Sequence, residues 1–249
     1  MDLNSFIKIM KTGKNMITLN GNDKDVLIRP KFGSTRIVNL PHKITPEICF
    51  LAGSIIGDGH LRKDKSSVEI ELSSLEILGL IKKNFEKIFS IKLNLREVKD
   101  KRPNRKLRWR LAIYSKLINQ LFNIVFEIPI GKKSFSVTIP KLILNSNLES
   151  KKHFLLGLFL TDGGLKRKKS ISFTCSNKAF ALGIKSLLNE FGINSWISQW
   201  LSKISKKFVF DVIIQRKDDL KKFINIFPLS LLKLQGYPSL VKGAGIYNC

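Results

Sequence analysis

Two stretches, Ile48–Ile56 and Phe154–Leu160, are apolar at almost every position. A helix that is apolar on all sides is buried on all sides. Each stretch leads into Asp-Gly, passes through a short basic segment (Leu61-Arg-Lys and Leu165-Lys-Arg) and meets a run of alternating apolar residues. These are Val68, Ile70 and Leu72 in one place and Ile171, Phe173 and Cys175 in the other, and a period of two predicts strands. Helical patterning then covers Leu75–Phe89 and Lys178–Phe191. Strand pairs follow at Ile91–Lys99 with Leu107–Tyr114 and at Ser195–Leu201 with Lys207–Ile214. Closing helices lie near Lys116–Phe126 and Asp218–Phe227.

The chain therefore repeats itself. Leu51-Ala-Gly-Ser-Ile-Ile-Gly-Asp-Gly-His-Leu61 aligns with Leu155-Leu-Gly-Leu-Phe-Leu-Thr-Asp-Gly-Gly-Leu165 at an offset of 104, pairing Gly53 with Gly157, Asp58 with Asp162 and Gly59 with Gly163. Each half reads α-β-β-α-β-β-α, an α+β class of fold. The divisions expected are an N-terminal extension (1–44), a first repeat (45–128), a linker (129–148), a second repeat (149–235) and a tail (236–249). The extension carries short strands at Met16–Leu19 and Val26–Ile28. Pro129, Gly131 and Pro140 break the linker.

The first apolar helix has start signals in Thr45, a cap, Pro46 in the first turn and Glu47 at the positive end. Gly53 and Gly57 share a face, and Gly157 and Thr161 repeat that spacing. Small residues four apart let two helix backbones approach closely, so the helices are expected to pack against each other between two pseudo-symmetric halves. Asp58 and Asp162 then end adjacent helices, each before a Gly suited to a left-handed cap. Two carboxylates converging at the negative ends of two helix dipoles are unfavourable unless a cation neutralises them, and a divalent metal ion explains the arrangement.

Charge narrows the partner. Forty-four Lys+Arg against 19 Asp+Glu give +25, which calls for a polyanion, with nucleic acid ahead of a membrane surface. The apolar stretches fall far short of the ~20 residues that span a bilayer. Three cysteines with no CxxC pair argue against a disulfide framework or a zinc site and fit a reducing compartment. His42, His60 and His153 are too dispersed for a metal-ligand pair. The expected location is intracellular, in an archaeal cytoplasm or nucleoid or an organellar matrix.

The segments LAGSIIGDG and LLGLFLTDG resemble the two copies of the LAGLIDADG motif of homing endonucleases, in the two-motif, single-chain form. The likeness extends in order and spacing from about Thr45 to Gln235. It departs at the sixth motif position, where Ile56 and Leu160 replace an acid, and keeps an acid at the eighth. The resemblance implies two αββαββα halves packed through their motif helices, with antiparallel sheets forming a DNA-binding saddle. It implies Mg²⁺ held by Asp58 and Asp162, with Gly57 and Thr161 in the metal set, and a cut across the minor groove that leaves short 3′ overhangs. It also implies a lysine near each metal site: Lys132 or Lys133 in the first half, where Lys133 is the choice, and Lys233 in the second. Asn248-Cys249 is superficially similar to an intein junction, but the chain opens with Met1 and has no room for a splicing domain, so an intein is not expected.

In Leu107–Tyr114 the alternation places Arg108, Arg110 and Tyr114 on one face and Leu107, Trp109, Leu111 and Ile113 on the other. A β-ribbon fits the major groove, where Arg reads guanine in bidentate fashion. Lys101, Arg102, Arg105 and Lys106 would meet phosphates, and Ser198, Trp200, Gln215 and Arg216 are the second half's candidates. Trp109 and Trp196 are expected in the core, and His60 in a loop beside Asp58. The function expected is a monomeric, site-specific endonuclease that cuts double-stranded DNA to mobilise its host intron. The alternative is an intron RNA maturase or a non-cleaving nucleic-acid-binding protein on the same fold.

Overall fold

A computed structural model describes residues 3–12, 16–19, 25–30, 37–64, 66–98, 107–166, 170–203 and 206–227. The first half runs α2 (Pro46–Asp58), β4 (Gly59–Leu61), β5 (Val68–Leu72), α3 (Leu75–Phe89), β6 (Leu95–Val98), β7 (Arg108–Ile113) and α4 (Lys116–Ile124). The second runs α6 (Leu148–Asp162), β8 (Gly163–Lys166), β9 (Ser170–Cys175), α7 (Lys178–Glu190), β10 (Trp196–Leu201), β11 (Phe208–Ile214) and α8 (Lys217–Ile226). Both sheets are antiparallel and share one order, β4-β5-β7-β6 in the first and β8-β9-β11-β10 in the second. This is the expected α+β fold of two αββαββα halves.

Helix starts follow local chemistry. The Ser74, Ser115, Asn147 and Asn177 side chains each accept a hydrogen bond from a first-turn amide, satisfying donors that the helix cannot. At α2 the cap differs from expectation. Thr45 is extended but makes no side-chain cap bond; its side chain bonds Glu47 instead.

Helices α2 and α6 form the seam between the halves. A methyl on Gly53 would fall on the Phe154 carbonyl and one on Gly157 on the Phe50 carbonyl, so backbone lies against backbone. Lower down, Gly57 faces the Thr161 hydroxyl. From Ile48 to Ile56 and from Phe154 to Leu160 every residue is buried. Behind the seam each half keeps a phenylalanine cluster: Phe85, Phe89, Phe122 and Phe126 in one, Phe159, Phe173, Phe223 and Phe227 in the other. Their mostly edge-to-face contacts add to the hydrophobic burial.

The N-terminal extension holds more structure than its sequence signals. Helix α1 (Leu3–Thr12) and the antiparallel meander β1 (Met16–Leu19), β2 (Asp25–Pro30) and β3 (Val38–Pro41) precede the first half, and β3 lies against α3. The linker is not a bare loop either. Ile130 bridges to Leu61, and α5 (Lys141–Leu144) adds one turn before α6. Among the described residues no helix is long and apolar enough to cross a membrane.

Candidate metal and nucleic-acid site

The motif helices end side by side, and their last residues form the floor of a cleft of about 400 Å³. Asp58, Asp162, Gly57 and Lys133 line it, together with Trp200, Thr174 and Cys175. Both helices are followed by a glycine for a steric reason rather than a conformational one. Gly59 and Gly163 are extended (φ −86° and −78°), not left-handed as expected. They are glycines because a Cβ would strike the Ile55 backbone and the Phe159 ring and carbonyl, over which the chain turns into β4 and β8.

The two carboxylates open to solvent through the cleft, with protein packed beneath and around them. Burial raises the Asp58 pKa, against the pull of Lys133 and Arg108. It pushes Asp162 up to about 7, and the Asp58 charge adds to the rise. Lys133 is driven down to about 8 by the same burial, while Asp162 and Asp58 favour its charged form. Its ammonium donates to the carbonyls of Ile55 (2.5 Å), Gly57 (2.7 Å) and Gly59 at the end of α2. Lys132, the neighbouring candidate, is exposed on the linker.

The donor set suits a hard divalent cation, which takes one or two carboxylates, carbonyls and water. Two acids meet at one point with backbone oxygens beside them, and a cationic side chain already rests on those oxygens. Among the described residues no third His, Cys, Asp or Glu joins them. The Thr161 hydroxyl turns back to the Gly157 and Leu158 carbonyls at 3.0 and 3.2 Å.

Outward-facing residues of the first sheet form a charged cluster. Arg110 donates twice to one Glu71 oxygen (3.2 and 3.1 Å), and Arg108 donates to the Glu71 carbonyl at 3.0 Å and pairs with its carboxylate. Arg96 stands opposite Arg110 across the β6–β7 pair. Arg110, Arg96 and exposed Tyr114 line a groove of about 430 Å³ with Lys92 and Asn94. The arginines thus face outward as expected, but a carboxylate holds them. Pairing across strands far apart in sequence placed Glu71 and Arg96 there, and no local pattern marks either.

In the second sheet Ser198 faces Asp211, and Trp200 donates from its indole nitrogen to Asp211 at 2.7 Å. Thr174 donates to the other oxygen of that buried carboxylate at 2.5 Å. Gln215 and Arg216 lie elsewhere, lining a pocket of about 350 Å³ with Trp196. Three expectations fail. Trp196 is 48% exposed, because its position in the strand points to the outer face, and Leu107 is 53% exposed, just outside β7. His60 is exposed within β4 rather than in a loop. Lys101, Arg102, Arg105, Lys106, Lys233 and Cys249 lie outside the described residues.

Two αββαββα halves joined through acid-ended motif helices make this a two-motif, single-chain protein of the LAGLIDADG kind. Residues 149–227 match the LAGLIDADG-like domain model, and residues 48–104 match that of the WhiA LAGLIDADG-like domain. Among solved structures, I-DmoI in complex with DNA and Ca shares 20% identity at a TM-score of 0.54, over 77% of this chain and 97% of that one. The homing endonuclease I-WcaI bound to its DNA recognition sequence shares 22% at a TM-score of 0.54, over 76% and 85%. Full-length DUF199/WhiA from Thermatoga maritima shares 17% at 0.52, over 80% and 61%. Among curated proteins, the replication factor C small subunit of Methanocaldococcus jannaschii is 30% identical over 184 residues, which is 66% of this chain and 10% of that protein. The probable translation initiation factor IF-2 of the same organism is 29% identical over 185 residues, 72% of this chain and 15% of that one. The chain thus spans a small part of these relatives.

Proposed function

We propose that this chain is a site-specific endonuclease that makes a metal-dependent double-strand break in a long DNA target and so mobilises its host intron. The observation that carries the reading is the meeting of Asp58 and Asp162 at the ends of two close-packed helices, with Lys133 beside them. A binding protein has no use for two raised-pKa carboxylates held together at the floor of its nucleic-acid face. Similar folds are described bound to DNA, I-DmoI with Ca and I-WcaI on its recognition sequence, which supports duplex DNA as the partner.

Asp58 and Asp162, with the carbonyls of Gly57 and Thr161, would hold a divalent ion, and Mg²⁺ is the one proposed. When bound, such an ion acidifies water and stabilises a leaving oxygen. The chain's own part is to place the duplex and balance its charge. The two sheets seat the DNA so that a phosphate of each strand lies over the cleft. Lys133 puts an ammonium beside the acids, where charge grows on the phosphate. Arg108, Arg110 and Arg96 fix the register over one half of the target. The protein acts as a monomer, since both acids come from one chain, and works inside the cell, where its DNA is.

The match of residues 48–104 to the WhiA domain, together with the fold of the WhiA protein, favours a second reading in which the chain binds DNA or intron RNA without cutting it. Incubating the protein and its Asp58→Asn variant with a randomised duplex library and Mg²⁺ separates the two. Cut ends sharing one long consensus, lost in the variant, are the expected result. Tight binding with no cut ends from either protein overturns the endonuclease.

A further inference from the structure

The Lys133 ammonium has three N–H donors, and all three are directed at main-chain carbonyls around the end of α2. Such an arrangement is unusual for lysine, whose ammonium is strongly hydrated and commonly found on a carboxylate or in water. Here it fills a small oxygen cage at the negative end of a helix dipole, with two aspartates close by. Oxygen ligands, a compact positive charge and adjoining carboxylates are the coordination pattern of a hard metal ion.

We infer that Lys133 is the resident cation of the metal-free site, holding the Gly57 carbonyl until a divalent ion displaces it. This rests on the reading that Asp58 and Asp162 bind such an ion. An ion liganded by both aspartates and by the Gly57 oxygen could not share that oxygen with an ammonium 2.7 Å away, because two cations on one acceptor repel strongly in so confined a place.

The side chain has a fixed base from which to swing. The Lys133 carbonyl accepts from the amides of Ser136 and Val137 at 3.0 and 2.9 Å. Two residues earlier, the Gly131 amide donates to Leu61 of the first half at 2.8 Å. Just after it, Asn177 of the second half donates to the carbonyls of Phe135 and Val137 at 3.0 and 2.9 Å. The linker is thus stitched to both halves on either side of Lys133. Exchange of cations therefore needs only a change of lysine rotamer, which moves the ammonium from the cage towards the cleft mouth where a phosphate would lie.

The test uses the full chain at neutral pH without DNA, with Ca²⁺ as the probe. By calorimetry, Lys133→Met and Lys133→Gln should bind Ca²⁺ more tightly than the parent, on the order of threefold or more, because the competing cation is gone. Circular dichroism checks that each variant is folded, and using two variants guards against the loss of one. In the unsubstituted protein, a lysine ammonium signal protected from exchange should appear in nitrogen-15 NMR spectra and disappear as Ca²⁺ is added. Equal or weaker Ca²⁺ binding by the folded variants, or an ammonium signal untouched by saturating Ca²⁺, overturns the placeholder role alone. Absence of Ca²⁺ binding from parent and variants alike overturns the metal site with it. Binding by the variants but not by the parent supports the inference in its strongest form.

Discussion

The two halves share a frame and differ in what they show to the outside. Gly59 pairs with Ile70, Ile70 with Leu111 and Leu111 with Leu95, just as Gly163 pairs with Phe173, Phe173 with Val212 and Val212 with Ile197. One step along, Glu71, Arg110 and Arg96 in the first sheet correspond to Thr174, Asp211 and Ser198 in the second. Two steps further, Arg108 and Val98 correspond to Val209 and Trp200. The inward positions kept their apolar character because both cores must still be filled. The outward ones exchanged a cationic cluster for an acid, an indole and hydroxyls. A duplication constrained only by packing leaves two outer surfaces free to diverge.

The acids are where the halves should still agree. Asp58→Asn and Asp162→Asn are each expected to lower double-strand cleavage on the order of a thousandfold, measured by plasmid linearisation; a variant that linearises at the parent rate would show that the two ends of the seam are not equivalent. The sheets should disagree. Arg110→Gln is expected to cost about 1–3 kcal/mol against the cognate site and relax specificity in one half-site. Asp211→Asn should instead strengthen non-specific binding. Anisotropy titrations over a range of salt separate these effects, and equal losses from the two changes would erase the contrast.

Smaller effects sharpen the comparison inside the helices. Gly79 is the fifth residue of α3 and Gly183 the sixth of α7, one place apart, and a Cβ at Gly79 meets nothing, whereas at Gly183 it meets the Ile139 side chain. Gly79→Ala should therefore stabilise by about 0.5–1 kcal/mol through helix propensity, and Gly183→Ala should destabilise by ~1 kcal/mol or more through overpacking. Urea unfolding decides between them. Finally, Asp162 has a folded-state pKa of about 7 against 3.8 for the free side chain, so the fold prefers its protonated form. Its contribution favours the metal-free protein increasingly as pH falls through 7 towards 4, and is lost above 7. Asp162→Asn should accordingly melt a few degrees higher than the parent at pH 8 without metal, with the gap narrowing by pH 5 and closing near pH 4.

Much of this was legible in the sequence because the repeat displays its period twice. The motif helices, Leu75–Phe89, the strand alternation and the closing helices all follow from apolar spacing, and the two aspartates follow from the pairing of the copies. What was not legible depends on contacts between distant segments. Glu71 reaches Arg110 across 39 residues of sequence, and Lys133 reaches Gly57 across 76. No local pattern distinguishes Lys133 from Lys132; the difference is which one the anchored linker turns into the cleft. Trp196 looked like core because it is large and apolar, but strand phase, not hydrophobicity, decides which face it takes. The glycines after Asp58 and Asp162 suggested a left-handed turn, whereas crowding by the preceding helical turn is what excludes a side chain.

The contact between Gly57 and Thr161 has a consequence for kinship between the halves. A bare glycine opposite a threonine is a hole opposite a knob. Two copies of the first half meeting through this seam would leave glycine against glycine, with a gap above the acids. Two copies of the second would set threonine against threonine, with no room for either. Each half is thus shaped to accept its sibling and refuse its twin. Separated onto two polypeptides, the halves would seek each other out, and the asymmetry of the assembled pair would survive loss of the linker that now enforces it.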